Sequence, residues 1–248
     1  MKQAFFQIIE NTPLTKSVYR MRLVGDTSHI TAAGQFVNIK LDGMFLRRPI
    51  SVCDLEGNTL TLVYKVVGRG TEAMAKMTEG ELDVLTGLGN GYDLSKSGER
   101  PVLVGGGVGV PPLFLLCKRL VAEGKHPSVI LGFNTKDEIF YEDEFRALGV
   151  SVSVATVDGS YGTRGFVTDC LALPEHKDAT YFYTCGPEPM LKALFRATPY
   201  SGQLSFEERM GCGFGACMGC SCQTITGYKR ICKEGPVMEK EELLWNVN

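Results

Sequence analysis

Val102-Leu103-Val104-Gly105-Gly106-Gly107-Val108-Gly109-Val110-Pro111-Pro112 passes from an apolar strand through a glycine turn into an apolar helical stretch. A strand that turns on glycine into a helix opens a βα unit, so the reading of this stretch decides the fold. Glycines let the backbone approach a pyrophosphate, and the helix N-terminus beyond them brings amides and a favourable dipole. Pro111 suits the first helical turn, where no donor is needed. The candidate contacts are Gly105, Gly106, Gly107, Gly109 and Pro111. A tight structural turn reads the same way, and the prolines depart from G-x-G-x-x-G, so a nucleotide fold other than the conventional dehydrogenase type is expected.

Downstream the rhythm continues. Strands are predicted at Val129 to Phe133, Val150 to Val154 and Thr180 to Thr184, with helices at Pro111 to Ala122, Tyr141 to Leu148, Gly165 to Leu171 and Glu188 to Ala197. Alternating strands and helices indicate a parallel sheet with crossover helices, here over residues 98–203. The last strand runs into Cys185-Gly186-Pro187. Ligands of such sheets bind outside the carboxyl ends of the strands, so this turn either shares a crevice with Gly105 or simply caps a helix.

Upstream, residues 1–97 carry short β-rich runs between Gly, Asn and Asp turns: Ala4 to Ile9, Val18 to Leu23, Phe36 to Leu41, Ile50 to Cys53, Leu60 to Val67 and Glu81 to Leu85. That spacing describes a barrel or sandwich. One short helix is expected at Thr71 to Met77, capped by Thr71 and ended before Gly80. Arg48 and Ser51 lie three apart, close enough to hold one anionic group, and Tyr64 to Thr71 ends a strand with an aromatic, basic residues and a Gly-Thr helix start. Taken alone these are two basic surface loops.

The chain has 248 residues, enough for two packed domains and an appendage. Its 44% hydrophobic and 22% charged content is that of a soluble globular protein. The net charge of -2 comes from interleaved signs, without the basic stripe a nucleic acid needs. The N-terminus lacks a secretory pattern and no run approaches ~18 apolar residues, so a cytoplasmic location without membrane attachment is expected.

In that compartment nine cysteines point to metal or redox chemistry rather than disulfides. Cys212, Cys217, Cys220 and Cys232 are separated by four, two and eleven residues, the spacing of plant-type 2Fe-2S ferredoxins. Gly213-Phe214-Gly215-Ala216 is small enough for backbone amides to point at sulfur. Four cysteines also suit zinc, but the paired C-x2-C halves of a zinc ribbon are missing. Cys222 fits the spacing less well than Cys220, and Cys53, Cys117 and Cys170 sit in apolar contexts as packing residues. Residues 204–248 are therefore expected to form a small cluster-binding segment. His29, His126 and His176 belong to no constellation and receive no catalytic role.

Arg48-Pro49-Ile50-Ser51, Gly70-Thr71, the turn 105–112, Cys185-Gly186-Pro187 and Glu207-Glu208-Arg209-Met210-Gly211-Cys212-Gly213 together resemble the ferredoxin-NADP reductase superfamily, and within it the electron-transfer subunits of bacterial type B dihydroorotate dehydrogenases. The resemblance covers nearly the whole chain. It implies an antiparallel FAD-binding β-barrel, a parallel-sheet NAD-binding domain and a C-terminal 2Fe-2S segment. Arg48, Pro49, Ile50 and Ser51 would hold FAD, with Tyr64, Lys65 and Val66 along the flavin and Gly70 and Thr71 at its pyrophosphate. Gly105 to Pro111 and Cys185 to Pro187 would receive NAD, and the four cysteines the cluster. Relatives commonly carry arginine at the position of Lys65, and lysine lacks its planar fork. The implied partner is an FMN-containing catalytic subunit that oxidises dihydroorotate, in a heterotetramer of two of each, facing the loop from Met210 to Cys222. The same modules serve NAD(P)H-ferredoxin oxidoreductases, sulfide dehydrogenases and hydrogenase-associated subunits, which remain the alternatives.

Overall fold

A computed structural model describes residues 1–246. The first half is a closed barrel of β1 (Lys2–Pro13), β2 (Val18–Val24), β3 (Phe36–Ile39), β4 (Arg48–Glu56), β5 (Thr59–Lys65) and β6 (Glu81–Leu88), in the order β1-β2-β5-β4-β3-β6 with every pair antiparallel. In β1 the buried Ala4, Phe6 and Ile8 alternate with exposed neighbours, the period of two that turns one face of a strand to a core. Helix α1 (Arg69–Ala75) follows β5.

The second half alternates β7 (Pro101–Gly106), α2 (Pro112–Ala122), β8 (Ser128–Phe133), α3 (Glu142–Ala147), β9 (Ser151–Thr156), β10 (Thr163–Arg164), α4 (Val167–Cys170), β11 (Tyr181–Cys185), α5 (Glu188–Ala197) and β12 (Gly202–Ser205). Beyond it lie the hairpin β13 (Ser221–Thr224) and β14 (Gly227–Arg230), and then β15 (Val237–Glu239). The sheet order is β10-β9-β8-β7-β11-β12-β15, parallel except for the antiparallel β15. From β7 the chain runs outward to one side through β8 and β9, then returns to the other side at β11. The strand order therefore switches between β7 and β11, and a crevice opens outside their carboxyl ends.

One apolar core runs without a break from Met21, Tyr64 and Met74 of the barrel to Leu113, Leu116 and Phe145 of the sheet half. Polar contacts fasten the same junction. Lys118 of α2 pairs with Asp54 of β4 at 2.8 Å, Tyr92 donates its hydroxyl to the Thr184 carbonyl at 3.0 Å, and Tyr183 donates to the Asp93 carbonyl at 2.9 Å. A second core joins Phe36 and Leu88 to Val104, Phe182, Cys220, Ile231 and Cys232, and so seats the C-terminal segment on both halves. Among the described residues no helix is long and apolar enough to cross a membrane.

Several expected elements change. Thr71 is not the cap of α1 but lies in its first turn, and its hydroxyl reaches back to accept the amides of Val67 and Gly68 at 2.9 and 3.3 Å. The helix expected from Gly165 to Leu171 shrinks to α4 because Gly165 adopts φ +124 and Asp169 accepts the Phe166 amide at 2.7 Å, which starts the helix later. The C-terminal segment, whose sequence shows little helical or strand periodicity at its centre, holds a hairpin and returns β15 to the sheet beside β12.

Candidate functional site

A crevice of about 990 Å³ lies between the barrel, the switch point and the chain that follows β12. Arg48, Pro49, Ile50, Ser51, Tyr64, Lys65 and Thr71 line it from the barrel side, and Gly106, Gly107, Gly109, Cys185, Gly186 and Pro187 from the sheet side. Val66, Gly70, Gly105 and Pro111 do not line it, and Val66 bonds its amide to the Ser17 carbonyl at 2.7 Å. A smaller cavity of about 320 Å³, around Arg100, His126 and Glu175, contains none of the motifs.

On the barrel side the two arginines of the motif divide. Arg47 grips Asp83 through both guanidinium nitrogens at 3.0 Å and also donates to the Asn38 and Asp83 carbonyls. Arg48 meets the carbonyls of Leu46 and Arg47 and the Met44 sulfur, and among the described residues it forms no ion pair with a carboxylate. It therefore brings an uncompensated cation to the crevice, as a pyrophosphate site requires. Gly70 makes this possible, because a Cβ there would collide with the Arg48 Nε. Tyr64 is buried, and its hydroxyl donates to Asn11 Oδ1 at 3.0 Å while Asn11 Nδ2 donates to the Met74 and Met77 carbonyls at 2.8 Å. Burial lifts the Tyr64 phenol to about 12 despite the Asn11 bond, so the ring remains neutral.

On the sheet side the two glycine-containing turns touch backbone to backbone. A Cβ on Gly109 would run into the Cys185 carbonyl, and one on Gly186 would stand 3.2 Å from the Gly106 amide. The expectation of unpaired helix amides is corrected here. Leu113 donates to the Val110 carbonyl at 3.1 Å and Phe114 to the Pro111 carbonyl at 3.0 Å, three-residue bonds that close the opening of α2, and the 3-10 turn at Gly107–Gly109 before it takes the Val110 amide on the Gly107 carbonyl. Burial pushes the Cys185 thiol up to about 12, partly opposed by a Ser205 hydrogen bond, so it faces the crevice uncharged.

The chain after β12 closes the third side with Phe206, Glu207, Glu208, Arg209 and Met210 and leads directly to Cys212. Cys212 Sγ accepts the amides of Ala216 and Cys217 at 3.2 and 3.4 Å, and Cys220 Sγ accepts the amide of Cys232 at 3.4 Å. Burial opposes ionisation of Cys212, but the amides of Cys217, Phe214 and Ala216 and the Cys217 thiol outweigh it and lower the group to about 6. Burial, and then the neighbouring Cys220, raise Cys232 to about 12. Among the described residues no three such groups close on a single point; the thiols stand as two pairs, Cys212 with Cys217 and Cys220 with Cys232. Two thiolates for each of two irons is the donor set of a 2Fe-2S cluster, and amides aimed at sulfur stabilise its charge, so the residues present fit that group. Arg230 ties the loop down by donating to the Gly215 carbonyl at 2.6 Å. Cys222 packs beside the Met238 sulfur at 3.6 Å, and Cys53, Cys117 and Cys170 are buried.

Residues 207–244 match the family model for the iron-sulfur cluster binding domain of dihydroorotate dehydrogenase B, and residues 103–195 match the oxidoreductase NAD-binding domain. The dihydroorotate dehydrogenase B (NAD(+)) electron transfer subunit of Geobacillus sp. (strain WCH70) is 44% identical over 98% of this chain and 99% of the relative. The chain belongs to this family of electron-transfer subunits. The Fusobacterium nucleatum subsp. nucleatum member of the family is 46% identical over 92% of this chain and 93% of its own. Among solved structures, an NADH-dependent reduced ferredoxin-NADP oxidoreductase chain superposes with a TM-score of 0.86 at 28% identity, covering 98% of this chain and 90% of its own. A ferredoxin NADP+ reductase from Neisseria gonorrhoeae shares the fold, with a TM-score of 0.70 at 19% identity over 79% of this chain and 90% of its own.

The crevice also contains residues that motif reading did not single out: Leu46, Phe133, Asn134, Phe166 and Met190. Phe133 ends β8 and Asn134 follows it, so the strand-end rule applied to every strand would have found them.

Proposed function

We propose that this chain passes electrons from the FMN of a dihydroorotate-oxidising partner, through a 2Fe-2S cluster and FAD, to NAD, in pyrimidine biosynthesis. The observation that carries this reading is the convergence of three sequence-remote motifs, 48–51, 105–111 and 185–187, on one crevice whose third wall continues into the cysteine loop. When bound, the cluster supplies single-electron transfer, FAD conversion between one-electron and two-electron steps, and NAD the capacity for hydride.

The chain's own residues bind and orient. Arg48 and Ser51 hold the FAD diphosphate and its flanking groups, Gly70 and Thr71 shape the floor beneath Arg48, and Tyr64, Lys65 and Val66 lie along the flavin. Gly105 to Gly109 and Cys185 to Pro187 form the seat of NAD, with α2 fixed behind them by Pro111. Cys212, Cys217, Cys220 and Cys232 hold the cluster. No general acid or base is required, and His176 is occupied by Ser128 and Ser153 at 2.9 and 2.8 Å.

The partner is the FMN-containing catalytic subunit, in a cytoplasmic heterotetramer of two of each. Phe214 and Met218 are exposed within the cysteine loop, and Ile225 and Tyr228 are exposed on the hairpin that follows it, apolar side chains of the kind that partners cover. A second reading, service to a ferredoxin-type or other redox partner, draws on the likeness at 28% identity to the ferredoxin-NADP oxidoreductase. Anaerobic recovery of the native complex and an assay of dihydroorotate-dependent NAD reduction decides between them. Activity with an FMN subunit is the expected result; a different partner without that activity overturns the pyrimidine assignment.

A further inference from the structure

β3 turns Val37 and Ile39 into the barrel core and the alternate pair, Phe36 and Asn38, outward toward the C-terminal segment. Phe36 packs there with Leu88, Cys220 and Ile231. Asn38 is 1% exposed, and its Nδ2 donates to the Cys212 carbonyl at 3.3 Å. Its Oδ1 has no hydrogen-bond partner, the single buried side-chain polar atom in that state among the described residues. The amide therefore makes its contact to Cys212 at the cost of an unpaired buried oxygen, a balance in which the gain in stability is small and the position of the loop is the distinct consequence.

On β4 the register partner of Asn38 is Pro49, which lines the crevice within the Arg48–Ser51 motif. Arg47 clamps the backbone of Asn38 by donating to its carbonyl at 3.2 Å while pairing with Asp83. On the other side, Gly213 has φ +78, and a Cβ there would collide with Asn38 Nδ2, so the loop and the amide are fitted to one another. One clamped side chain thus bridges the strand beside the flavin motif and the first cysteine of the cluster loop.

We propose that Asn38 is a positioning residue for electron passage: by holding the Cys212 carbonyl it fixes the cluster loop at a set distance from the crevice. The proposal rests on the reading that FAD and the cluster reside on this chain. Asn38→Leu keeps the number and branching of the side-chain heavy atoms and removes both polar atoms, and Asn38→Ala removes the side chain beyond Cβ. Wild type and variants, reconstituted anaerobically and matched for iron and flavin content, are mixed with NADH, and flavin bleaching and cluster reduction are followed separately with thermal stability as a control. The expected result for Asn38→Leu is a cluster phase slowed roughly tenfold or more, with flavin bleaching and the melting temperature at wild-type values. Wild-type cluster kinetics in both variants overturn the role of Asn38. A wild-type chain that accepts neither 2Fe-2S nor FAD overturns the underlying reading instead, so the two failures are distinct.

Discussion

Arg48, Ser51 and Tyr64 are carried on strands of a closed barrel, whereas Cys212 and Cys217 sit in a stretch from Phe206 to Gly219 that has neither strand nor helix. The barrel and sheet walls of the crevice are held by one continuous apolar core. The cysteine loop is shaped by amide-to-sulfur bonds, the Arg230 tether and the Asn38 contact, and metal binding there is also folding energy. Disturbing the loop therefore leaves the barrel intact, while disturbing the barrel reaches both regions.

The sharpest break in this contrast is Cys217→Ser. Loss of one ligand empties the cluster site while FAD binding persists, and iron and flavin contents measured on one preparation check it. Simultaneous loss of both groups contradicts the separation. Arg48→Ala acts from the opposite side. Removal of a charge-assisted contact weakens FAD binding by about 2 kcal/mol, roughly thirtyfold in Kd by flavin titration, with iron content unchanged.

Asn11→Ala tests whether the barrel positions its aromatic through α1. It strips two carbonyls of a donor and leaves the buried Tyr64 hydroxyl unpaired, at a cost of about 1–3 kcal/mol in denaturant unfolding. An unchanged midpoint removes that link. The smallest effect belongs to His176, buried between two serines at the amino-terminal side of the sheet. Burial lowers its folded pKa below the ordinary 6.5, against a weaker opposing influence from Glu175. The unfolded chain then binds more protons as pH drops, so the contribution is complete above 6.5 and is lost as pH falls through that value toward the folded pKa. His176→Gln flattens this acid-side slope in thermal melts between roughly pH 7 and 5.

The parts legible in the sequence were those with a period or a spacing. The strand and glycine turn at 102–109 marked the parallel sheet, and the C-x4-C-x2-C interval marked the cluster segment. β12 and β15 passed unseen because Gly202-Gln203-Leu204-Ser205 and Val237-Met238-Glu239 are too short to show alternation, and all four residues of β12 are buried despite two polar side chains. Thr71 resembled a cap because Ser and Thr bond nearby amides from either side of a helix start. Asn38, inside the β-rich run Phe36 to Leu41, gave no signal, since its importance arises only when a loop 174 residues away folds against it.

In the proposed function the crevice and the cysteine loop form one electron path on one chain. Anaerobic titration of the reconstituted chain with NADH, observing flavin absorbance and the cluster's magnetic resonance signal in the same sample, tests it most directly. The expected result is that both respond, with the cluster signal appearing as the flavin equilibrates. A flavin that bleaches fully beside a cluster that stays oxidised over hours would contradict it.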